Sequence, residues 1–252
     1  MPMDLNLGSD VVIVTGASRG LGEAIVKDLV DEGASVVAAA RSEDALVELA
    51  KYSPEQIAVC VADMENSEDV AGLVGFAIER FGSLSAVVNN AGVAPAGKFV
   101  ETDIEVMRKT FAVNVFAPAM LAKEAAKYFI ETETDGSIVN IASTSGLKGK
   151  ALLVGYSSSK GAMMRLTEAL AAEWARFGIR VNTIAPGAFV TDAQSAVLDD
   201  EKILSARLRK IPLRRMGDPE ELGALVSYLV SSKSGFITGS CFVADGGEVN
   251  SL

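Results

Sequence analysis

The sequence predicts an α/β fold: a doubly wound, Rossmann-type parallel sheet of about seven strands with helices on both faces. Three observations carry this. Short aliphatic runs alternate with segments of helical apolar spacing along the whole chain, which implies right-handed βαβ crossovers. Hydrophobic residues make up 49% of the 252 residues but aromatic ones only 6%, as suits aliphatic strands covered on both faces. A glycine-rich turn follows the first aliphatic run directly and opens a helical segment.

Element by element, the strand candidates are 10–15, 35–40, 56–62, 84–89, 136–143, 180–185 and 240–244. Helical segments begin near Leu21, Ser67, Thr102, Tyr156 and Asp218, with Ser67, Thr102 and Asp218 placed as N-caps. One long stretch, 186–213, reads as irregular, and a segment at about 187–214 is expected to close over a site as a lid. With no linker or repeat, a single domain over 1–252 is expected, since α/β units of this length often stay undivided. In such sheets ligands lie beyond the carboxyl ends of the strands.

Charge and composition exclude several classes of function. Thirty-three acidic against 23 basic residues give a formal charge of −10, which disfavours nucleic acid or an anionic membrane as partner. The polar, acidic stretch Met1–Asp10 and the short apolar run after it fit neither a signal peptide nor a membrane span, so a cytoplasmic location is expected. Cys60 and Cys241 lie in apolar runs and read as reduced core residues. The chain contains no histidine, which removes the commonest zinc ligand and general base, and no metal is expected.

Two motifs carry chemistry. At the end of the first strand, Gly16, Ser18, Arg19, Gly20, Leu21 and Gly22 form a Gly-x-x-x-Gly-x-Gly turn that would bring backbone N–H groups and the positive end of a helix to a pyrophosphate. Further on, Tyr156 and Lys160 lie four residues apart on one helix face, with Ser143 upstream. A phenol with an ordinary pKa of about 10 is a poor acid or base at neutral pH, and an adjacent ammonium favours its ionised form.

Taken with Asn90-Ala91-Gly92 after Asn89, Asn114, and Pro186-Gly187 with Thr191, these motifs resemble those of the short-chain dehydrogenase/reductase family over essentially the whole chain. The resemblance implies that Tyr156 exchanges a proton with the substrate and Ser143 hydrogen-bonds the substrate oxygen. It also implies that Lys160 lowers the tyrosine pKa and holds the nicotinamide ribose, while Asn114 positions a water in a proton relay. Asp63, with Met64 beside it, matches the residue that meets the adenine amino group. A homotetramer, or a homodimer, is implied as well, built on the helices near Thr102 and Tyr156 and on Ile237, Phe242 and Val249.

Cofactor choice is legible at the end of the second strand. Ala40 occupies the position where an NAD-specific site places a carboxylate, and Arg41, Ser42 and Arg19 can meet a 2′-phosphate, so NADP(H) is expected over NAD(H). Ala94, Pro95, Leu147, Leu152, Leu153, Phe189 and Ala193 are expected to face the substrate, Leu153 and Phe189 in contact with it; this mostly apolar set suits a carbonyl or secondary alcohol on an uncharged or lightly polar body and would poorly serve a highly anionic sugar, and Lys148 and Lys150 read as exposed loop charges. The chain also resembles the 3-oxoacyl-carrier-protein reductases, but Glu131, Glu133 and Asp135 would repel an acidic carrier. A non-catalytic NADP-binding sensor would keep the fold, and the full set of Asn114, Ser143, Tyr156 and Lys160 argues against it.

Overall fold

The computed structural model describes residues 5–250, apart from the side chains of Ala193 and Ala196. Seven parallel strands form one sheet in the order β3-β2-β1-β4-β5-β6-β7. They are β1 (Val11–Thr15), β2 (Ser35–Ala40), β3 (Ile57–Val61), β4 (Ala86–Asn89), β5 (Gly136–Ile141), β6 (Ile179–Pro186) and β7 (Cys241–Ala244). Strand order reverses between β1 and β4, the crevice in which doubly wound sheets hold their ligands.

Helices cover both faces. On one side, α1 (Gly20–Asp31) packs against α10 (Pro219–Val230), and Leu29, Val226 and Leu229 are fully buried with Val12, Val14 and Val36 of the strands. On the other, α3 (Ser67–Phe81), α5 (Ala117–Thr132) and α7 (Val154–Trp174) bury Leu73, Leu121 and Trp174 against Ile13, Val87 and Val181. Alternate residues of each strand feed the two cores, as the two-residue period of a strand requires. A short helix α2 (Glu43–Ala50) follows β2.

A π-helical segment, Ala112–Phe116, joins α4 (Ile104–Phe111) to α5, and its extra residue fits the frequent use of such bulges at functional sites. A chain of buried hydrogen bonds ties the central strands to α7. The Asn89 amide donates to Asn140 Oδ1 at 2.8 Å, Asn140 donates to Thr167 Oγ1 at 2.9 Å, and the Thr183 hydroxyl donates to Thr167 at 2.6 Å.

Several expectations are corrected. Asn66 and Asp103, not Ser67 and Thr102, cap α3 and α4, because their side chains accept from Glu68 N and Glu105 N; Asp218 does cap α10, in a reciprocal box with Glu221. The stretch after Pro186 is partly helical, with α8 (Ser195–Leu198) and α9 (Glu201–Leu208), the latter capped by Asp200. Leu5 and Leu7 are buried in the core, so the beginning of the chain is not simply polar; Met1–Asp4 lie outside the described residues. Cys60 is half-buried and Cys241, on the edge strand β7, is exposed, so neither is a core residue in the isolated subunit. No helix among the described residues is long and apolar enough to cross a membrane.

Candidate active site

A cleft of about 940 Å³ runs along the carboxyl ends of the strands. Its phosphate end is built by β1 running into α1. Gly16 adopts φ +65°, and a side chain there would meet Ala91 Cα at 2.8 Å; one on Gly22 would collide with the Gly16 carbonyl. Only glycine lets the first strand, the loop after β4 and the start of α1 approach so closely. Thr15 Oγ1 and the Asn90 amide lock this junction: the hydroxyl accepts from Asn90 N and Ala91 N at 3.1 Å, and Asn90 Nδ2 donates to Thr15 O at 2.9 Å. Arg19 sits at the N-cap position of α1 and makes no side-chain cap bond, so the helix directs its first N–H groups toward the cleft.

All the residues assigned above to cofactor contact line this one cleft, with Arg19, Arg41, Ser42, Asp63 and Met64 at one end and Tyr156, Lys160, Pro186, Gly187 and Thr191 toward the other. Ala40 is the last residue of β2, paired with Val61 of β3 and followed directly by Arg41, and no carboxylate occupies its position. The glycine cradle and the open helix end fit the pyrophosphate of a dinucleotide. The described residues contain no cluster of three His, Cys, Asp or Glu side chains able to hold a metal ion.

At the other end, Ser143 caps the short helix α6 (Thr144–Leu147), accepting from Ser145 N at 3.1 Å, and its hydroxyl is hydrogen-bonded to Tyr156. Lys160 is buried, lies 5.8 Å from the centre of the Tyr156 ring and donates to Ile141 O at 2.7 Å. Asn114 does not line the cleft. It is wholly buried in the π segment, where its amide accepts from Val93 N and donates to Val93 O, both at 2.9 Å, and donates to Ser159 Oγ at 3.0 Å. A methyl group on Gly92 would lie 3.4 Å from both Asn114 Oδ1 and Lys160 Nζ, so both atoms face the same small space.

The electrostatics depart from expectation. Burial pushes the Tyr156 phenol up from its ordinary value, and the Ser143 hydrogen bond pulls it only partly back. Burial also lowers the pKa of Lys160, to about 8, which leaves it a cation at neutral pH beside the Tyr156 ring.

The substrate end is less apolar than the sequence implies. Ala94, Leu153 and Phe189 line it, whereas Pro95, Leu147 and Leu152 do not; Leu147 and Leu152 are exposed, and the Ala193 side chain lies outside the described residues. Ser145, Lys150, Asp192, Gln194 and Arg207 line the cleft too. Lys150 is half-buried rather than an exposed loop charge, and Arg207 is brought in by α9. The acidic run lies away from the substrate end. Glu131, Glu133 and Asp135 are exposed immediately before β5, at the amino edge of the sheet. The six residues of β5 separate them from the Ser143 end by about 20 Å at 3.3 Å per residue.

Comparison with known proteins agrees with this architecture. The family model described as Enoyl-(Acyl carrier protein) reductase matches residues 16–248. A glucose 1-dehydrogenase from Gluconobacter oxydans is 35% identical over 240 residues, covering 94% of this chain and 90% of that one. A 2,5-dichloro-2,5-cyclohexadiene-1,4-diol dehydrogenase from Sphingobium indicum is 35% identical over 244 residues, with 96% and 98% covered. The crystal structure of a short-chain type dehydrogenase/reductase from Mycobacterium marinum superimposes with a TM-score of 0.89 at 32% identity, covering 97% of each chain. The chain belongs to the short-chain dehydrogenase/reductase family, and it is an oxidoreductase of the kind that acts on CH–OH groups with a nicotinamide cofactor.

Lys160 makes a stability prediction with a definite sign. Its folded pKa of about 8 lies below the ordinary 10.5, so between these values the unfolded chain binds the extra proton and stability falls as the pH drops. Below pH 8 the penalty is complete, at about 3 kcal/mol. Lys160→Met is therefore expected to unfold at a higher urea concentration than the wild type at pH 7, with the gap narrowing toward pH 10. A variant less stable than the wild type at pH 7 would mean that the bond to Ile141 outweighs the buried charge.

Proposed function

We propose that this protein interconverts a carbonyl and a secondary alcohol with NADP(H), using Tyr156 as the general acid in reduction and the general base in oxidation. The observation that carries the reading is the convergence of Tyr156, Ser143 and Lys160 at one end of a cleft whose other end presents the glycine cradle and Arg41. The nicotinamide supplies or accepts the hydride when bound. Ser143 and Tyr156 donate hydrogen bonds to the substrate oxygen, which polarises the carbonyl without a metal. Tyr156 then gives up its phenolic proton as the alkoxide develops. Lys160, anchored on Ile141, faces the space it shares with Asn114, and a water there would pass a proton from solvent. In the oxidative direction the rate grows with pH as the raised Tyr156 phenol ionises. The segment 187–214, which carries α8 and α9 and lends Gln194, Val197 and Arg207 to the cleft, serves as the lid.

Arg41, Ser42 and Arg19 give the preference for the phosphorylated cofactor. Two unpaired thiols on strands at opposite edges of the sheet suit a reducing, cytoplasmic setting. Exposed Ile104 and Phe116 on the α4–α5 helix, and fully exposed Phe236 beside edge strand β7, support assembly into a homotetramer through both surfaces. A second reading, reduction of a 3-oxoacyl group on an acidic carrier, is favoured by one observation: the carboxylates expected to repel the carrier lie at the far edge of the sheet.

Three experiments test these readings. In an NADPH-oxidation assay over a carbonyl panel, Tyr156→Phe should lose about 10²- to 10⁴-fold in kcat. In the same assay Arg41→Ala should raise KM roughly tenfold for NADPH and leave NADH unchanged; equal losses for both cofactors would sink the phosphate assignment. A carrier-bound 3-oxoacyl substrate should outpace its free thioester analogue if the carrier reading holds, and equal rates would remove it. Multi-angle light scattering should give four times the chain mass of 26.3 kDa, and a monomer would refute the assembly.

A further inference from the structure

Lys150 lies in the loop between α6 and α7, where its backbone N–H donates to Ser157 Oγ at 3.2 Å. Its position is thus set by the helix that carries Tyr156, and its side chain lines the same cleft. The surroundings are cationic. Arg207 approaches from α9 and Lys210 from just beyond it; Glu248, the nearby carboxylate, already receives both guanidinium nitrogens of Arg207, one at 2.6 Å. Burial and these like charges lower the Lys150 pKa. A half-buried ammonium beside a guanidinium is unfavourable in the protein alone, and an anion between or beside them relieves it.

A second cavity, of about 750 Å³, lies on the far side of Lys150. Of the ten residues that line it, five are the cations Lys148, Lys150, Arg209, Lys210 and Arg214, and one is the carboxylate Glu248. Arg209 and Arg214 direct guanidinium bonds to Ser205 Oγ and to the Arg209 carbonyl rather than to carboxylates. In a chain of net charge −10, this concentration of positive charge beside the reacting end of the cleft is a local reversal of the overall field. Such a concave cationic surface raises the local concentration of anions and steers them inward.

We propose that the substrate carries an anionic group, a carboxylate or a phosphate, apart from its reacting carbon, and that Lys150 binds this group at the wall between the active-site cleft and the basic cavity. The inference deepens the oxidoreductase reading and rests on it for the reacting end of the molecule. Lys150 is then the specificity-determining residue, with Arg207 held beside it by Glu248. The apolar residues Leu153 and Phe189 pack the body of the substrate between the two ends.

The test pairs calorimetry with kinetics on the whole chain, comparing wild type, Lys150→Met, Lys150→Arg and Arg41→Ala. Titrated with malonate and with inorganic phosphate, the wild type should bind at least one of them. Lys150→Met should weaken that binding roughly tenfold to a hundredfold, and Lys150→Arg and Arg41→Ala should largely retain it. Binding that is lost in Arg41→Ala and kept in Lys150→Met would place the anion at the cofactor end and overturn the proposal. In the NADPH assay, acetoacetate is set against ethyl acetoacetate, and dihydroxyacetone phosphate against dihydroxyacetone. The charged member of one pair should be favoured at least tenfold through KM, which also tells carboxylate from phosphate, and Lys150→Met should abolish that preference. Neutral and charged members turned over alike would overturn the proposal and leave the oxidoreductase reading intact. If no carbonyl is turned over, that reading fails and the calorimetry judges the anion site by itself: binding that depends on Lys150 upholds the site, and its absence ends the proposal.

Discussion

The seating of α7 on the carboxyl half of the sheet is the constraint from which the site takes its geometry. Tyr156 and Lys160 sit in the first two turns of that helix, so any sliding or rotation would move both relative to Ser143 and the glycine turn. Three kinds of contact prevent it. The Asn89–Asn140–Thr167–Thr183 hydrogen bonds fix the middle of the helix to β4, β5 and β6, in a setting where each unpaired group would cost about 1–3 kcal/mol. Asn114 fixes its first half through Ser159, and the Lys160 ammonium reaches the end of β5 at Ile141. Gly146 permits the remaining approach, since a side chain there would stand 2.6 Å from the Lys160 carbonyl carbon.

Much of this was legible in the residues themselves. The strands are nearly continuous Val, Ile and Ala runs because both faces are covered, and that pattern placed all seven within about two residues of their bounds. The glycine turn was legible because its chemistry is local: a tight passage between a strand and a helix N-terminus. Caps were harder, since Asn66 and Asp103 adjoin Ser67 and Thr102, and all four residue types can cap a helix. The charge balance at the substrate end was not legible. Whether Lys150 is solvated or half-buried depends on α9 and on Glu248, which lie about 57 and 98 residues away in the chain. The rise in the Tyr156 pKa likewise comes from burial, which the four-residue spacing to Lys160 does not report. The position of Glu131, Glu133 and Asp135 was recoverable from topology alone, because residues that precede a parallel strand lie at the edge opposite the ligand crevice.

Charge is segregated in this molecule on a scale finer than its total. Carboxylates predominate overall and are often satisfied locally, as in the partly exposed pairs Glu23–Lys27 and Glu124–Lys127 along helix faces, which contribute little to stability. The cations of the cleft are held differently. Lys160 has a carbonyl for a partner, and Lys150 sits between the cations Arg207 and Lys210 and the carboxylate Glu248, which Arg207 already engages, so these groups remain available to a ligand's charge at the expense of the unliganded fold. Such sites work against stability, as functional groups commonly do.

The π turn at Ala112–Phe116 bears on how this chain can change length. Removing one residue there would restore ordinary helical winding and leave the helix on either side nearly where it is, because the bulge takes up its extra residue locally. The bearing of Asn114 within the bulge would change, however, and with it the simultaneous hold on Val93 and Ser159. A helix interior that could shed a residue without local strain is thereby held at its present count by partners on two other segments.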